Sequence, residues 1–220
     1  MHRKHVFKIK IILMGDSNSG KSTFIRRLNK QDGRYVYLPT MGVDFHIHKV
    51  VDKEDPNTEY YLYFYDGSGL KKFQNILYSY YRYCPLAIIF NRPHKYTDES
   101  TMYETLKKWM DHYTNIRPDG QMVILENNDN DITDISFDKN KFDAFKYNYR
   151  SMIPKCNILS DSSIRKVTDT LITIIKENIL KYEWVINVTE GVTKIDEIRT
   201  VDSINNRPID VVKMSRCSIM

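Results

Sequence analysis

Eight residues near the start of the chain, Gly15-Asp-Ser-Asn-Ser-Gly20-Lys21-Ser22, constrain its fold more than any other feature. They fit the pattern G-x-x-x-x-G-K-[ST]. Residues 6–14 before them alternate and then turn continuously apolar, as a buried strand does. Residues 21–30 after them read as a helix. A loop in that setting can wrap so that successive backbone N–H groups point at one anion, with Gly15 and Gly20 supplying the backbone freedom. The helix that follows adds its positive N-terminal end. Lys21 can then reach the outer phosphates of a polyphosphate, and the Ser22 hydroxyl can ligate Mg²⁺. Gly15, Ser17, Asn18, Ser19, Gly20, Lys21, Ser22 and Thr23 form the expected phosphate cradle. Asn18 stands where Gly is frequent, and Asn tolerates positive φ better than most residues.

Beyond this loop, strand-like and helix-like segments alternate. Residues 46–52 and 59–65 read as two strands joined by the turn segment 53–58, and 86–90 and 122–125 as short buried strands. Residues 157–160 are expected to end a last strand. Helical stripes run over 98–113, 138–152 and 167–180. Such alternation predicts an α/β fold: a mostly parallel six-stranded sheet with helices on both faces, the three-layer architecture of P-loop nucleotide-binding proteins. Sheets of this kind bind ligands at the carboxyl ends of their strands. The pattern fades after Tyr182, so residues 1–181 are expected to form one domain and 182–220 a variable tail. Within the tail, 184–189 alternates enough to suggest a short strand.

Bulk properties narrow the functional classes. The chain has 220 residues, 41% of them hydrophobic, which suits a single soluble core. A net charge of +5 is compatible with anionic ligands or membrane surfaces but does not single out nucleic acid, and no nucleic-acid partner is expected. Three scattered cysteines, Cys84, Cys156 and Cys217, make neither a disulfide framework nor a zinc cluster. No apolar run approaches the ~20 residues needed to span a bilayer. A cytoplasmic location follows as the expectation.

Further matches extend along the chain. Thr40 lies nineteen residues after Lys21, within Leu38-Pro-Thr-Met-Gly-Val-Asp-Phe45. Tyr61-Leu-Tyr-Phe-Tyr-Asp66-Gly-Ser-Gly69-Leu70-Lys-Lys-Phe73 follows, then Ser79-Tyr80-Tyr81-Arg82 and a helical Trp109. Over residues 6–180 these segments resemble the Rab/Ras small GTPases, in particular the Rab motifs Thr-Ile-Gly-Val-Asp-Phe, Trp-Asp-Thr-Ala-Gly-Gln-Glu-Arg-Phe and Ser-Tyr-Tyr-Arg. The resemblance implies a guanine nucleotide, GTP or GDP, with Mg²⁺ as ligands. Thr40 would offer its hydroxyl to Mg²⁺ and its N–H to the γ-phosphate, and Gly69 a second N–H. Ser22, Thr40 and Asp66 would hold the metal. Hydrolysis would release both loops together, which is the switch. Effector and regulatory proteins would bind the switch surface, with Phe45, Tyr65 and Tyr80 as its aromatic centre.

The departures carry equal weight. Leu70 occupies the position where the family carries the Gln that orients the attacking water, and a leucine can neither donate to water nor accept from it. No catalytic side chain is assigned, and hydrolysis is expected to be slow or absent. The family reads guanine with Asn-Lys-x-Asp, and here Glu126-Asn-Asn-Asp-Asn-Asp-Ile132 stands in that place. Asn128 and Asp131 are aligned with the Asn and the Asp, so that Asp129 replaces the Lys. A one-residue slip, Asn127 with Asn130, would lose the guanine-reading carboxylate. Ser160-Asp-Ser162 replaces Ser-Ala-Lys, with Ser160 still able to meet the base. Gly33 stands where an aromatic usually covers guanine, with Tyr35 and Tyr37 nearby.

The chain closes on Cys217-Ser-Ile-Met220, which fits C-a-a-X with Met at X, the pattern for farnesylation of Cys217. One prenyl chain binds membranes reversibly, and Lys213 and Arg216 add only a thin basic patch. The reading is a membrane-tethered GTP-binding switch with impaired hydrolysis. Two alternatives stay open: an interaction scaffold of pseudo-GTPase type that binds nucleotide weakly, and a P-loop protein that takes another nucleotide.

Overall fold

The computed structural model describes residues 2–31, 38–96, 98–127, 155–179 and 192–199. Strands β1 (His2–Met14), β2 (Val43–Val51), β3 (Thr58–Gly67), β4 (Leu86–Asn91), β5 (Gln121–Asn127), β6 (Lys155–Cys156) and β7 (Val192–Arg199) join one sheet. Its path runs β2-β3-β1-β4-β5-β6, with β7 added beside β1. The pairs β1–β3, β1–β4, β4–β5 and β5–β6 are parallel; β2–β3 and β1–β7 are antiparallel. The expected mostly parallel α/β sheet is therefore present, with seven strands among the described residues where six were expected, β7 being the addition.

Helices α1 (Lys21–Leu28), α2 (Gln74–Tyr81), α3 (Glu99–Ile116) and α4 (Asp161–Ile174) cover the two faces. Side chains alternate across a strand, so β1 feeds both layers. Ile9, Ile11 and Leu13 face α1 and α4, where Phe24, Ile25, Ile164, Val167 and Leu171 complete one core. Ile12 and Met14 face α2 and α3, where Leu77, Tyr81, Met102, Leu106 and Met110 complete the other. Each of these aliphatic side chains contributes roughly 1.5–3 kcal/mol by leaving water. Parallel strands covered on both faces read as unbroken apolar runs, which is why β1 and β4 were legible in the sequence.

Local chemistry sets the element ends. Asp98 caps α3: its Oδ1 accepts from the Thr101 N–H at 2.8 Å, a contact whose loss costs about 1 kcal/mol. Arg117 ends the same helix because Pro118 follows and disfavours the α region at the preceding residue. One expectation is corrected. Residues 157–160 do not end a strand. The Asn157 Oδ1 accepts from Leu159 N–H at 2.9 Å, and its carbonyl accepts from Ser160 N–H at 2.9 Å, so an Asx turn leads into α4. Residues further along, Val192–Arg199, form β7, a strand that no sequence pattern announced. Residues 138–152 and 184–189 lie outside the described residues. No described helix is long and apolar enough to cross a membrane.

Candidate functional site

Strand β1 delivers the chain to the carboxyl edge of the sheet at Met14, and the loop from Gly15 to Gly20 turns there into α1. The turn needs left-handed backbone at Gly15 (φ 131°), Asn18 (φ 59°) and Gly20 (φ 104°). A side chain could not be fitted at either glycine: a Cβ on Gly15 would come 2.5 Å from the Phe90 carbonyl oxygen, and one on Gly20 2.6 Å from Ile158. Lys21 lies folded back over the loop. Its ammonium donates to the carbonyls of Gly15 (2.9 Å) and Asp16 (2.8 Å) and to Ser19 Oγ (3.2 Å). Burial pushes its pKa down to about 8, against the pull of Asp66 and Asp16.

Two further segments close over this loop. Ser22 Oγ and Thr40 Oγ1 are 3.1 Å apart. Gly69 lies so close to the loop that a Cβ there would sit 2.2 Å from the Ser17 nitrogen. The Ser68 N–H donates to the Gly42 carbonyl at 2.8 Å, tying the two segments to each other. Together, residues 17–23, Pro39, Thr40 and 68–70 line one cleft. Leu70 is part of that lining, and its N–H donates to Ser68 Oγ at 3.2 Å.

Asp66, at the carboxyl end of β3, has no exposed surface. Neither of its carboxylate oxygens has a hydrogen-bond partner among the described residues. Burial raises its pKa, and the nearby Ser22 hydroxyl and Lys21 ammonium oppose that rise. A buried carboxylate without a partner is costly. Beside the two facing hydroxyls of Ser22 and Thr40 and the Lys21 ammonium, it suits Mg²⁺ that carries a polyphosphate. The residues present therefore fit that pair of ligands. Ser22 and Thr40 would hold the metal directly and Asp66 through water, while the loop amides, Lys21 and Gly69 would hold the phosphates.

Of the sequence-derived site residues, Ser17, Asn18, Ser19, Gly20, Lys21, Ser22, Thr23, Thr40 and Gly69 line the one cleft. Gly15 lies against β4, and Asp66 sits among the side chains of Lys21 and Ser22. Ser160 stands at the start of α4 with its hydroxyl 2.9 Å from that of Ser162. Asn128, Asp129, Asp131, Gly33, Tyr35, Tyr37 and Cys217 lie outside the described residues. The aromatic trio is assembled, with Phe45–Tyr65 and Tyr65–Tyr80 centroids each 5.3 Å apart.

Several further contacts with the loop come from residues that the sequence did not assign to the phosphate site. Asn127, the last residue of β5 and 1% exposed, donates from Nδ2 to the Ser19 carbonyl at 3.2 Å. Asp16 accepts from Trp109 Nε1 at 3.2 Å and from the Tyr96 hydroxyl at 3.3 Å. Lys95 donates to the Ser17 carbonyl, and Arg92 to that of Asn18 at 3.4 Å. The position of Asn127 at a strand's carboxyl end was the available signal; the contacts of Asp16 are long-range and leave no trace in the order of residues.

Comparison with known proteins agrees with this arrangement. Residues 10–131, more than half of the chain, match the family described as Roc, Ras of Complex, Roc domain of DAPkinase. The chain is 31% identical over 123 residues to the Ras-related protein RabC of Dictyostelium discoideum, covering 56% of this chain and 60% of that protein. It is 32% identical over 136 residues to the Ras-related protein RABD2a of Arabidopsis thaliana, 61% of this chain and 63% of that one. A longer match, 26% over 183 residues, covers 82% of this chain and 80% of the Ras-related protein Rab-1 of Theileria parva. The chain thus spans about three fifths of the length of the first two relatives. With the phosphate loop, the two segments that close on it and the sheet order all in place, the chain belongs to the Ras-like small GTPases, as a divergent member similar to the Rab proteins.

Proposed function

We propose that the chain is a guanine-nucleotide switch that binds GTP with Mg²⁺ and hydrolyses it slowly. The observation that carries this reading is the buried, unpartnered Asp66 carboxylate behind the Ser22–Thr40 hydroxyl pair and the Lys21 loop. Mg²⁺, when bound, would neutralise phosphate charge and fix the geometry of the triphosphate. Thr40 and Gly69 approach the loop from its two sides, so a terminal phosphate would hold both segments and its loss would free both. Leu70 lines the cleft where a water-orienting side chain is needed, and its apolar chain offers no hydrogen bond to the water. The switch would therefore rest in the triphosphate state. Partner proteins would read that state on the exposed Met41 and Phe45, 78% and 49% accessible, with Tyr65 and Tyr80 beside them. A prenyl group on Cys217 would tether the switch to a membrane.

One observation favours a second reading, in which guanine is read weakly. Asn127 is the asparagine that reaches the phosphate loop. If it takes the part of the family's Asn, then Asn130 and not Asp131 stands at the guanine-reading position, and no carboxylate meets the base. Releasing and identifying the nucleotide that copurifies with the chain separates the two. GTP is expected; a mixture of purine nucleotides supports the second reading, and a chain that retains no nucleotide and binds none refutes both. Leu70→Gln should speed single-turnover hydrolysis by at least tenfold. Equal rates in the two proteins remove the case for a triphosphate-loaded resting state.

A further inference from the structure

The Mg²⁺ and phosphate reading uses Asp66 but leaves part of its surroundings unexplained. In the antiparallel β2–β3 pair Asp66 stands directly opposite Asp44. Like charges placed opposite each other across two strands are destabilising. His46 lies two residues further along β2, so its side chain leaves the same face of the sheet as Asp44. One ligand atom from each of Asp44, His46 and Asp66 lies within 4.8 Å of the others. Burial grades from Asp44, exposed, through His46, half-buried, to Asp66, fully buried, so the cluster opens to solvent at one end.

The second observation is independent of the clustering. Both oxygens of Asp66 are buried and without a hydrogen-bond partner among the described residues. A water on the phosphate-side metal would satisfy one of them. A cation between Asp66, Asp44 and His46, whose ligand atoms cluster within 4.8 Å of one another, would satisfy the other.

We propose that Asp44, His46 and Asp66 form a second divalent-cation site, distinct from the metal carried by the phosphates, with the Asp66 carboxylate shared between the two. One imidazole and two carboxylates make a mixed nitrogen and oxygen donor set. It suits Mn²⁺, Co²⁺ or Zn²⁺ better than Mg²⁺, which prefers an all-oxygen octahedron. Ligand bonds of about 2.1 Å set tetrahedral donors about 3.4 Å apart, so the three groups, within 4.8 Å of one another, must close in by about 1.4 Å at most. Asp44 and His46 sit on an edge strand with one exposed flank and can make that adjustment. The ion would cancel the opposed carboxylate charges and tie β2 to β3 beside Thr40. The site goes beyond the nucleotide reading, on which only the sharing of Asp66 rests, and the ¹⁴N signature of His46 reads it separately.

The test uses the full chain, stripped of metal and titrated with Mn²⁺ alone, with its nucleotide content measured separately. Pulsed electron paramagnetic resonance distinguishes the two sites, because the phosphate-side ion couples to ³¹P and lacks nitrogen ligands, whereas an ion on His46 couples to ¹⁴N. The expected result is a Mn²⁺ population with ¹⁴N coupling. In His46→Ala and His46→Gln that population should disappear, and in Asp44→Asn its affinity should fall about tenfold or more. Circular dichroism on each variant checks that it is folded. Wild-type chain whose bound Mn²⁺ shows no ¹⁴N coupling, or shows it undiminished in both folded His46 variants, overturns the proposal. Failure of GTP binding in the same samples would instead count against the nucleotide reading alone.

Discussion

The protonation of Lys21 gives the sharpest quantitative test of the phosphate cradle. In the ligand-free chain, burial lowers its pKa from 10.5 to about 8. A phosphate against the ammonium should restore the charged form and raise the pKa again. Nucleotide binding above neutral pH must then take up a proton. With a free-state pKa of about 8, the uptake should be close to zero at pH 6.5, about 0.5 at pH 8 and about 0.9 at pH 9. Affinity should be full below about pH 8 and fall roughly tenfold between pH 7 and pH 9. The nucleotide does not obscure the signal, since a terminal phosphate with a second pKa of about 6 has lost its last proton by pH 8. Titration calorimetry in two buffers of different ionisation enthalpy reads the uptake directly. Lys95, whose pKa burial also lowers, touches the same loop, so Lys95→Met serves as the control and should retain most of the uptake. In Lys21→Met the uptake should be lost. The sign for folding is opposite to that for binding. A lysine whose folded pKa lies below its unfolded value carries its full burial cost, about 3 kcal/mol, below pH 8, and that cost is relieved as pH rises toward 10.5. Ligand-free chain should thus gain stability over that window. Binding at pH 9 without proton uptake would refute the assignment of Lys21 to the phosphates.

Three other outcomes follow from the packing around the loop. Gly69→Ala places a Cβ 2.2 Å from backbone nitrogen in Ser17, so one segment must shift by about an ångström, and triphosphate affinity should fall about 100-fold by equilibrium titration. Trp109 donates to Asp16 beside the loop, so in a Trp184→Phe background its emission should change when nucleotide is released; identical spectra would break the link between α3 and the phosphates. Tyr113→Phe removes the 2.7 Å hydrogen bond to the buried Cys84 carbonyl and should cost about 1–3 kcal/mol, lowering the melting temperature by about 2–4 °C per kcal/mol.

The sequence was most informative where a physical requirement acts on consecutive residues. The phosphate loop is such a case, because left-handed backbone, close approach to Phe90 and Ile158 and the lysine all fall within eight positions. Buried strands also announce themselves, since both faces must be apolar. Helix α2 does not: among its eight residues only Leu77 and Tyr81 are buried, too few for a period to emerge. Strand β7 owes its existence to pairing with residues 2–9, nearly two hundred positions earlier, which no local pattern reports. The base-reading segment is ambiguous for another reason. Asparagines at 127, 128 and 130 make neighbouring registers almost equivalent in composition, and only the contact of Asn127 with Ser19 distinguishes one of them.

The pairing of β7 also has a directional consequence. Arg199 lies opposite His2, so the chain leaves the sheet at the pole farthest from Met14 and the loop that follows it. Seventeen residues lie between Arg199 and Cys217, and at full extension the eighteen steps span no more than about 65 Å. If Cys217 carries a lipid, as proposed, the tether starts from that pole, at the opposite end of β1 from the phosphate loop, and its length keeps the mouth of the cleft clear of the anchor. Partners could then dock, and nucleotide exchange, without the headgroups in the way.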